Sequence, residues 1–352
     1  MEKKGCFSRF KWIIIIGTIL ILLVLGAGFY GFLQFYSPNV KLEKKKSTLF
    51  YIHTGTSFDS VKQILFEKNM ISDTNSFLLT VRLKNYAANV KPGRYLIKNN
   101  MTNNSLINML RSGNQKPVNI TFNNVRTKRE LCGKIGKYLE FDSIQLLNTL
   151  NDRKFIDSLG FSPENIISMF IPNTYEFYWN TSPKQFVERM KSEYDKFWTV
   201  ERVEMAENLK LTRLQVSTLA SIVQAEQSVH TSELPTIAGL YINRIKQNML
   251  LQSDPTVIFA IGNFNIRRVL NSDKEYDSPY NTYKYAGLPP GPILIPDNVT
   301  LDAVLNYEKH NYIFMCAKED FSGFHNFAET SAQHTRNAEK YWKALNKKKV
   351  YR

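Results

Sequence analysis

The sequence predicts an α+β protein in three parts: an N-terminal transmembrane helix, a small α/β module, and a mostly helical domain with short strands. Three observations carry this. Trp12 to Phe35 is an apolar run without a charge, a strand-helix-helix pattern occurs twice between about 48 and 160, and from Phe170 strong helices alternate with loops rich in Pro, Asn and Tyr. The expected boundaries are a tail at 1–11, an anchor at 12–36, a linker at 37–47, the module at 48–160 and the helical domain at 161–352.

The chain has 352 residues, room for two ordinary domains, and its 43% hydrophobic content can bury a core, which excludes a disordered or low-complexity protein. Its formal net charge of +15 suits an anionic lipid surface or an anionic polymer, or simply a solvated surface. The three cysteines, Cys6, Cys132 and Cys316, are far apart with no C-x-x-C spacing. That removes disulfide-scaffold, zinc-ribbon and thioredoxin-like readings, and neither a metal nor another cofactor is expected.

The first element is the apolar run. At about 1.5 Å per residue it is long enough to cross a bilayer, and it exceeds the roughly 7–15 residues of a cleavable signal's apolar core. It also ends in Phe32-Leu-Gln-Phe-Tyr36, without a small-x-small cleavage site. An uncleaved anchor is the expectation. Lys3, Lys4, Arg9 and Lys11 before it balance Lys41, Lys44, Lys45 and Lys46 after it, so charge alone leaves the orientation a near draw.

In the module, Thr48 to His53 reads as a strand, and Val61, Ile64, Leu65, Phe77, Leu78 and Val81 fit two short amphipathic helices parted by Asn69 to Asp73. Pro92 to Lys98 is a turn and strand, and Thr102 to Gly113 a helix with a glycine C-cap. Phe58 to Leu79 and Lys128 to Leu150 form a weak repeat, each a helix, a polar break containing Asp, and a helix. Such modules resemble LysM sugar-binding domains; a packing platform without a sugar site is the alternative.

In the second domain Ser182 caps a helix that Pro183 opens. Further helices are expected at about 212–229, 234–249, 255–261, 301–307 and 331–347, with a strand at Tyr312 to Cys316.

The sharpest chemical feature lies on the second of these helices. Leu219, Ile222, Val223 and Glu226 fall at i, i+3, i+4 and i+7, so Glu226 points from the apolar face. Desolvation there favours the neutral acid, able to donate a proton near neutral pH. A pair with a buried Arg such as Arg244, or a helix end turned to solvent, are the plainer readings. Asp254 before Pro255 is expected as an N-cap, while Gln252 beside it could face a sugar. The stretch Ser278 to Ile293, rich in Pro, Gly and Tyr, offers stiff aromatic and amide surfaces through Tyr280, Asn281 and Tyr283, or merely covers the core. There is no G-x-S-x-G, H-E-x-x-H, P-loop or Rossmann glycine pattern, and His325 and His334 read as hydrogen-bonded structural histidines. Nucleic-acid binding would explain the charge but not the export signal.

These residues resemble a known family. Ala220-Ser-Ile-Val-Gln-Ala-Glu226, Tyr241-Ile-Asn-Arg244, Leu251-Gln-Ser-Asp-Pro-Thr-Val257, Tyr280-Asn-Thr-Tyr283 and Gly287-Leu-Pro-Pro-Gly-Pro292 are similar to the endolytic murein transglycosylases of the MltG (YceG-like) type. Phe170-Ile-Pro-Asn-Thr-Tyr-Glu176, His325-Asn-Phe327 and His334 extend the likeness over essentially the whole chain. The resemblance implies a peptidoglycan lytic transglycosylase (a lyase), single-pass in the bacterial inner membrane with its catalytic domain on the extracytoplasmic side. It also implies cleavage between N-acetylmuramic acid and N-acetylglucosamine to 1,6-anhydro ends, with Glu226 as the catalytic acid. Substrate-binding candidates are Gln252, Asp254, Tyr280, Asn281 and Tyr283. The partners it implies are peptidoglycan strands and membrane lipid, with peptidoglycan synthases as candidates and no nucleic acid. The family's first motif glutamate is Gln224 here; two helical positions turn roughly 200°, so residue 224 is expected off the face of Glu226. A non-catalytic wall-binding scaffold and a water-using muramidase are the competing classes.

Overall fold

The computed structural model describes residues 4–43 and 45–347, and side chains of the first helix from Lys11 onward. Lys3 and Lys44, which enter the charge comparison around the apolar run, lie outside the described residues. Contacts cluster into two units, residues 1–118 with 176–180, and residues 119–175 with 181–352. The long stretch of the first unit runs to Val118, and the short segment 176–180 joins it.

The first unit opens with α1 (Lys4–Tyr36), whose Lys11–Tyr36 portion is long and apolar enough to cross a membrane and exposes its large side chains. After it come β1 (Ser47–Ile52), α2 (Phe58–Glu67), α3 (Thr74–Leu83), β2 (Gly93–Lys98) and α4 (Asn103–Ser112). β1 and β2 pair antiparallel from Ser47↔Lys98 to Ile52↔Gly93, and Val61, Leu65, Phe77, Tyr95 and Leu106 fill the core beneath them. Leu78, expected on the apolar face of α3, is exposed instead; Phe77 and Val81 already fill that stripe. Part of the expected linker also belongs to this core. Val40 and Leu42 are buried, and Asn39 reaches Asp73 O at 2.8 Å and Asn103 Oδ1 at 2.7 Å. Asn103 in turn donates to Gln34 O at 3.2 Å, fastening the end of α1 to the module.

Next come β3 (Val118–Phe122), α5 (Lys128–Ile135), α6 (Ser143–Asn151), α7 (Arg153–Ser158) and β4 (Asn173–Phe177), with β3 beside β4; most of this stretch belongs to the second unit, while Val118, Glu176 and Phe177 cluster with the first. The sequence repeat is thus physical: each copy opens with a strand and two helices and closes on a strand, the second copy inserting α7 before it. In each, the aspartate of the polar break caps the second helix: Asp73 accepts from Asn75 N and Ser76 N, Asp142 from Ile144 N and Gln145 N.

Then follow α8 (Pro183–Phe197), α9 (Val200–Asn208), α10 (Arg213–Glu226), α11 (Leu234–Lys246), α12 (Asp254–Ile261), α13 (Asn271–Lys274) and α14 (Asn298–Leu305). The last elements are β5 (Phe314–Ala317), β6 (His325–Ala328) and α15 (Ser331–Lys347); β5 and β6 pair antiparallel, with α15 against them. Ser182 caps α8 in a capping box with Gln185, as its sequence suggests. At the centre lies α10, buried continuously from Val216 to Gln224, with α9, α11, α12 and α14 packed around it. Its expected end at Val229 is three residues late. Gln227 adopts an extended conformation and its Oε1 accepts from Val229 N and His230 N, turning the chain away directly after Glu226.

Candidate active site

Glu226 is the last residue of α10, and the helical period beneath it, Leu219, Ile222 and Val223, is fully buried. Two hydroxyls from other elements converge on one of its oxygens. Ser253 Oγ donates to Oε1 at 2.5 Å and Tyr241 OH donates to the same atom at 2.8 Å. Desolvation is the dominant influence on the carboxyl and pushes its pKa up; the two hydroxyls oppose this, Asp254 adds to it, and His325 opposes it. Both donors sit on Oε1, which leaves Oε2 as the oxygen on which a transferable proton would ride.

The plainer reading, a pair with Arg244, does not hold. The Arg244 side chain donates instead to the carbonyls of Ile313 (2.7 Å), Leu250 (3.0 Å) and Leu251 (2.9 Å), bracing the loop that leads into α12. That loop carries Gln252 in a left-handed conformation (φ 52°), exposed, with its Oε1 accepting from Arg244 Nη1 at 3.3 Å. A non-glycine residue held there costs on the order of 1–3 kcal/mol, and such strain gathers at functional sites.

Asp254 is not the N-cap its Asp-Pro sequence suggests. It is the first residue of α12, and Ser253 occupies the cap position while giving its hydroxyl to Glu226 and not to the helix. The Asp254 carboxylate, freed from capping, accepts from Tyr283 OH at 2.6 Å. Glu226, Tyr241, Gln252, Asp254 and Tyr283 all line one cavity of about 220 Å³.

Two expected substrate contacts lie elsewhere. Asn281 is fully buried and its side chain is spent on its own loop, donating to Lys274 O and Tyr276 O and accepting from Tyr283 N. The Tyr280 ring lies tilted against Phe259, centroids 4.8 Å apart, and its hydroxyl donates to Glu164 O; burial pushes its phenol up to about 12. Neither lines the cavity around Glu226. Conversely, Ser253 and Tyr241 were not among the expected site residues. Tyr241 carried a usable signal, since a tyrosine in the middle of an apolar helix must find its hydroxyl a partner.

Gln224 turns away from Glu226, as helix rotation requires. Its Oε1 accepts from Asp297 N at 2.6 Å and Thr300 Oγ1 at 3.2 Å, and its Nε2 donates to Asp297 Oδ2 at 3.1 Å, so it caps α14 from outside. Just beyond Glu226, buried Gln227 donates to Glu233 Oε2 at 3.0 Å, and Glu233 also accepts from His325 N and pairs with His325 Nδ1, both at 2.9 Å. His325 is thus the hydrogen-bonded histidine its sequence suggests. His334 differs: its Nδ1 is buried without a partner among the described residues, and its ring stacks on Phe314.

A desolvated carboxyl held by two hydroxyls at the edge of a polar cavity, with a second carboxylate on the same wall, defines a site for general acid–base chemistry. The comparisons name the family that carries it. The chain matches the YceG-like family over residues 50–340 and belongs to it. It is 28% identical over 342 residues, 93% of each chain, to a protein of Bacillus subtilis (strain 168) named endolytic murein transglycosylase. To the protein of that name in Streptococcus pneumoniae (strain ATCC BAA-255 / R6) it is 23% identical, over 94% of this chain and 65% of the longer relative. A crystal structure of a YceG-like protein from Listeria monocytogenes superposes with a TM-score of 0.56 at 26% identity, covering 83% of this chain and 99% of that one.

Proposed function

We propose that the chain is a peptidoglycan lytic transglycosylase that cuts glycan strands internally between N-acetylmuramic acid and N-acetylglucosamine, with residues 161–352 as its catalytic domain. Membership of the YceG-like family and the names of the bacillar and pneumococcal relatives support the reaction class. The observation that carries the mechanism is the single desolvated carboxyl of Glu226, fixed through Oε1 by Ser253 and Tyr241.

In this reading Glu226 begins protonated. It gives its proton to the glycosidic oxygen as the bond from that oxygen to the muramoyl C1 breaks. The resulting carboxylate then takes the proton of the muramoyl C6 hydroxyl, whose oxygen bonds to C1 and closes the 1,6-anhydro ring. Proton balance is complete without water, and one residue serves as acid and then base. Ser253 and Tyr241 stabilise the carboxylate midway, which keeps the pKa from rising so far that the second step stalls. Gln252, Asp254 and Tyr283 are the substrate-facing groups of the cavity.

Because that substrate lies outside the cytoplasm, α1 serves as an uncleaved single-pass anchor with the catalytic domain extracytoplasmic. The strand-helix-helix-strand order of residues 47–98 supports the LysM-like reading of a module that positions glycan and does no chemistry. The presence of Asp254 on the cavity wall favours one second reading, a muramidase in which it activates water. Mass spectrometry of strands digested by the full chain separates these. Anhydro-muramoyl ends are expected; reducing ends would establish the muramidase, and intact strands a non-catalytic scaffold.

A further inference from the structure

A second, larger cavity of about 480 Å³ opens on the same pair of helices, α10 and α12. Ala225 and Pro255 line it, and each is the chain neighbour of a residue lining the Glu226 cavity, Glu226 and Asp254. Both hollows are thus lined from the end of α10 and the start of α12, two helices that pack on each other. Pockets that hold organic ligands run to roughly 300–1,000 Å³, a range the cavity at Glu226 falls below and this one enters. An enzyme cutting within a polymer must grip it beyond the scissile bond, and the larger hollow is where that grip is available.

Its lining has the chemistry of a sugar site with one addition. Phe259 and Phe264 offer aromatic faces, Gln224 and Asp297 a polar floor, and the Arg126 guanidinium lies 5.0 Å over the Phe264 ring. The Arg126 loop is not loose: Ile295 N donates to Val125 O at 2.7 Å, with both side chains fully buried. The nearest acid in sequence, Glu130, is engaged by Lys134 Nζ at 3.1 Å and by the backbone N–H of Arg126 itself. Among the described residues no ion pair is formed by the Arg126 side chain, which is exposed at the cavity rim. A guanidinium over an aromatic ring, its charge felt at Glu130 but not paired there, is suited to accept a carboxylate in bidentate fashion.

We propose that this cavity binds the glycan strand beyond the cut, with Phe264 as a platform for a sugar ring and Arg126 as the receptor for a carboxylate that the strand carries. The proposal rests on the transglycosylase reading. The carboxylate has two sources, a stem peptide or the lactyl group of muramic acid once the peptide is removed.

The test measures kcat/KM of the full chain in detergent on uncrosslinked strands with stem peptides intact and on strands stripped by an amidase. Each is used as it stands and after carbodiimide conversion of its carboxylates to amides. Wild type, Arg126→Gln, Arg126→Lys and Phe264→Ala are compared. Arg126→Gln is expected to lose roughly ten- to a hundredfold on charged strands, the span of one charge-assisted contact, and to match wild type on neutralised ones. Arg126→Lys should recover part of the loss, and Phe264→Ala should lose activity on charged and neutral strands alike. Whichever arm shows the Arg126 dependence, stem-bearing or stripped, identifies the carboxylate. Cleavage indifferent to Arg126→Gln on both charged substrates, or equally impaired on neutral ones, overturns the proposal and leaves the transglycosylase reading standing. A wild-type chain that leaves strands uncut overturns both.

Discussion

Glu226 is asked to be neutral when it meets the strand and anionic an instant later, and its surroundings serve both states: burial favours the acid, while Ser253 and Tyr241 steady the anion. Glu226→Gln keeps the size and the Oε1 acceptor but cannot release a proton. Turnover should fall by at least the roughly 10²–10⁴ of general acid–base catalysis, measured as anhydro ends formed per minute. Stability should move the other way. A carboxyl whose folded pKa is raised binds its proton more tightly when folded, so the wild type loses stability as pH climbs from the ordinary carboxylate value through the raised one. The Gln variant escapes that loss, and its Tm advantage should widen between pH 4 and pH 8; a constant difference would mean the carboxyl is not desolvated. In wild type the same titration should extinguish activity on the alkaline side, at a pKa above about 4.3. Asp254→Asn keeps an oxygen for Tyr283 and should cost far less activity. If that variant is dead while Glu226→Gln still cuts, the carboxylates have been assigned the wrong way round.

Among elements, α10 and its neighbours hold the site still. Gln224 satisfies the start of α14 through three hydrogen bonds, so Gln224→Ala should lower unfolding free energy by about 1–3 kcal/mol in a denaturant titration. Gln224→Glu keeps both acceptor contacts but sets a carboxylate against that of Asp297, so its stability should drop further as pH rises. Asn281→Ala removes three loop bonds and should impair substrate turnover only through disorder of the 274–285 loop, visible as faster amide exchange there. How legible these elements are follows from the range of the forces that shape them. Caps are local, and Ser182, Thr102 and Gly113 stand where their sequence puts them. Glu226 is legible because a helix's own period decides its face. The partners of Glu226 are not, because Ser253 lies 27 residues away and its hydroxyl serves as cap or as donor depending on what packs opposite. The same limit hid β3 and β4, five-residue strands whose mates lie on the far side of three helices.

For the molecule as a whole, the repeat was visible in sequence but the unit boundary was not. Val118 and the residues after it read as a continuation of the module until β3 is seen beside β4. The anchor makes the simplest whole-chain prediction: a protein that retains Trp12 to Phe35 stays with membranes through high-salt and carbonate washes. Recovery of a soluble species beginning near Val40 would count against it. The packing of Val40 and Leu42 argues in the same direction, because a cut there would loosen the module's core as well as release the chain.

The ending of α10 on Glu226 has an electrical meaning of its own. The aligned peptide dipoles of a helix leave roughly half a negative charge at its C-terminus, spread over carbonyls with no amide to accept. An anion on the final residue is repelled by the backbone that carries it, and where water is scarce salt does little to soften that repulsion. The abrupt turn at Gln227 therefore does more than clear the way to the cavity: it sets the acid at the end of its helix where the main chain itself helps to retain the proton.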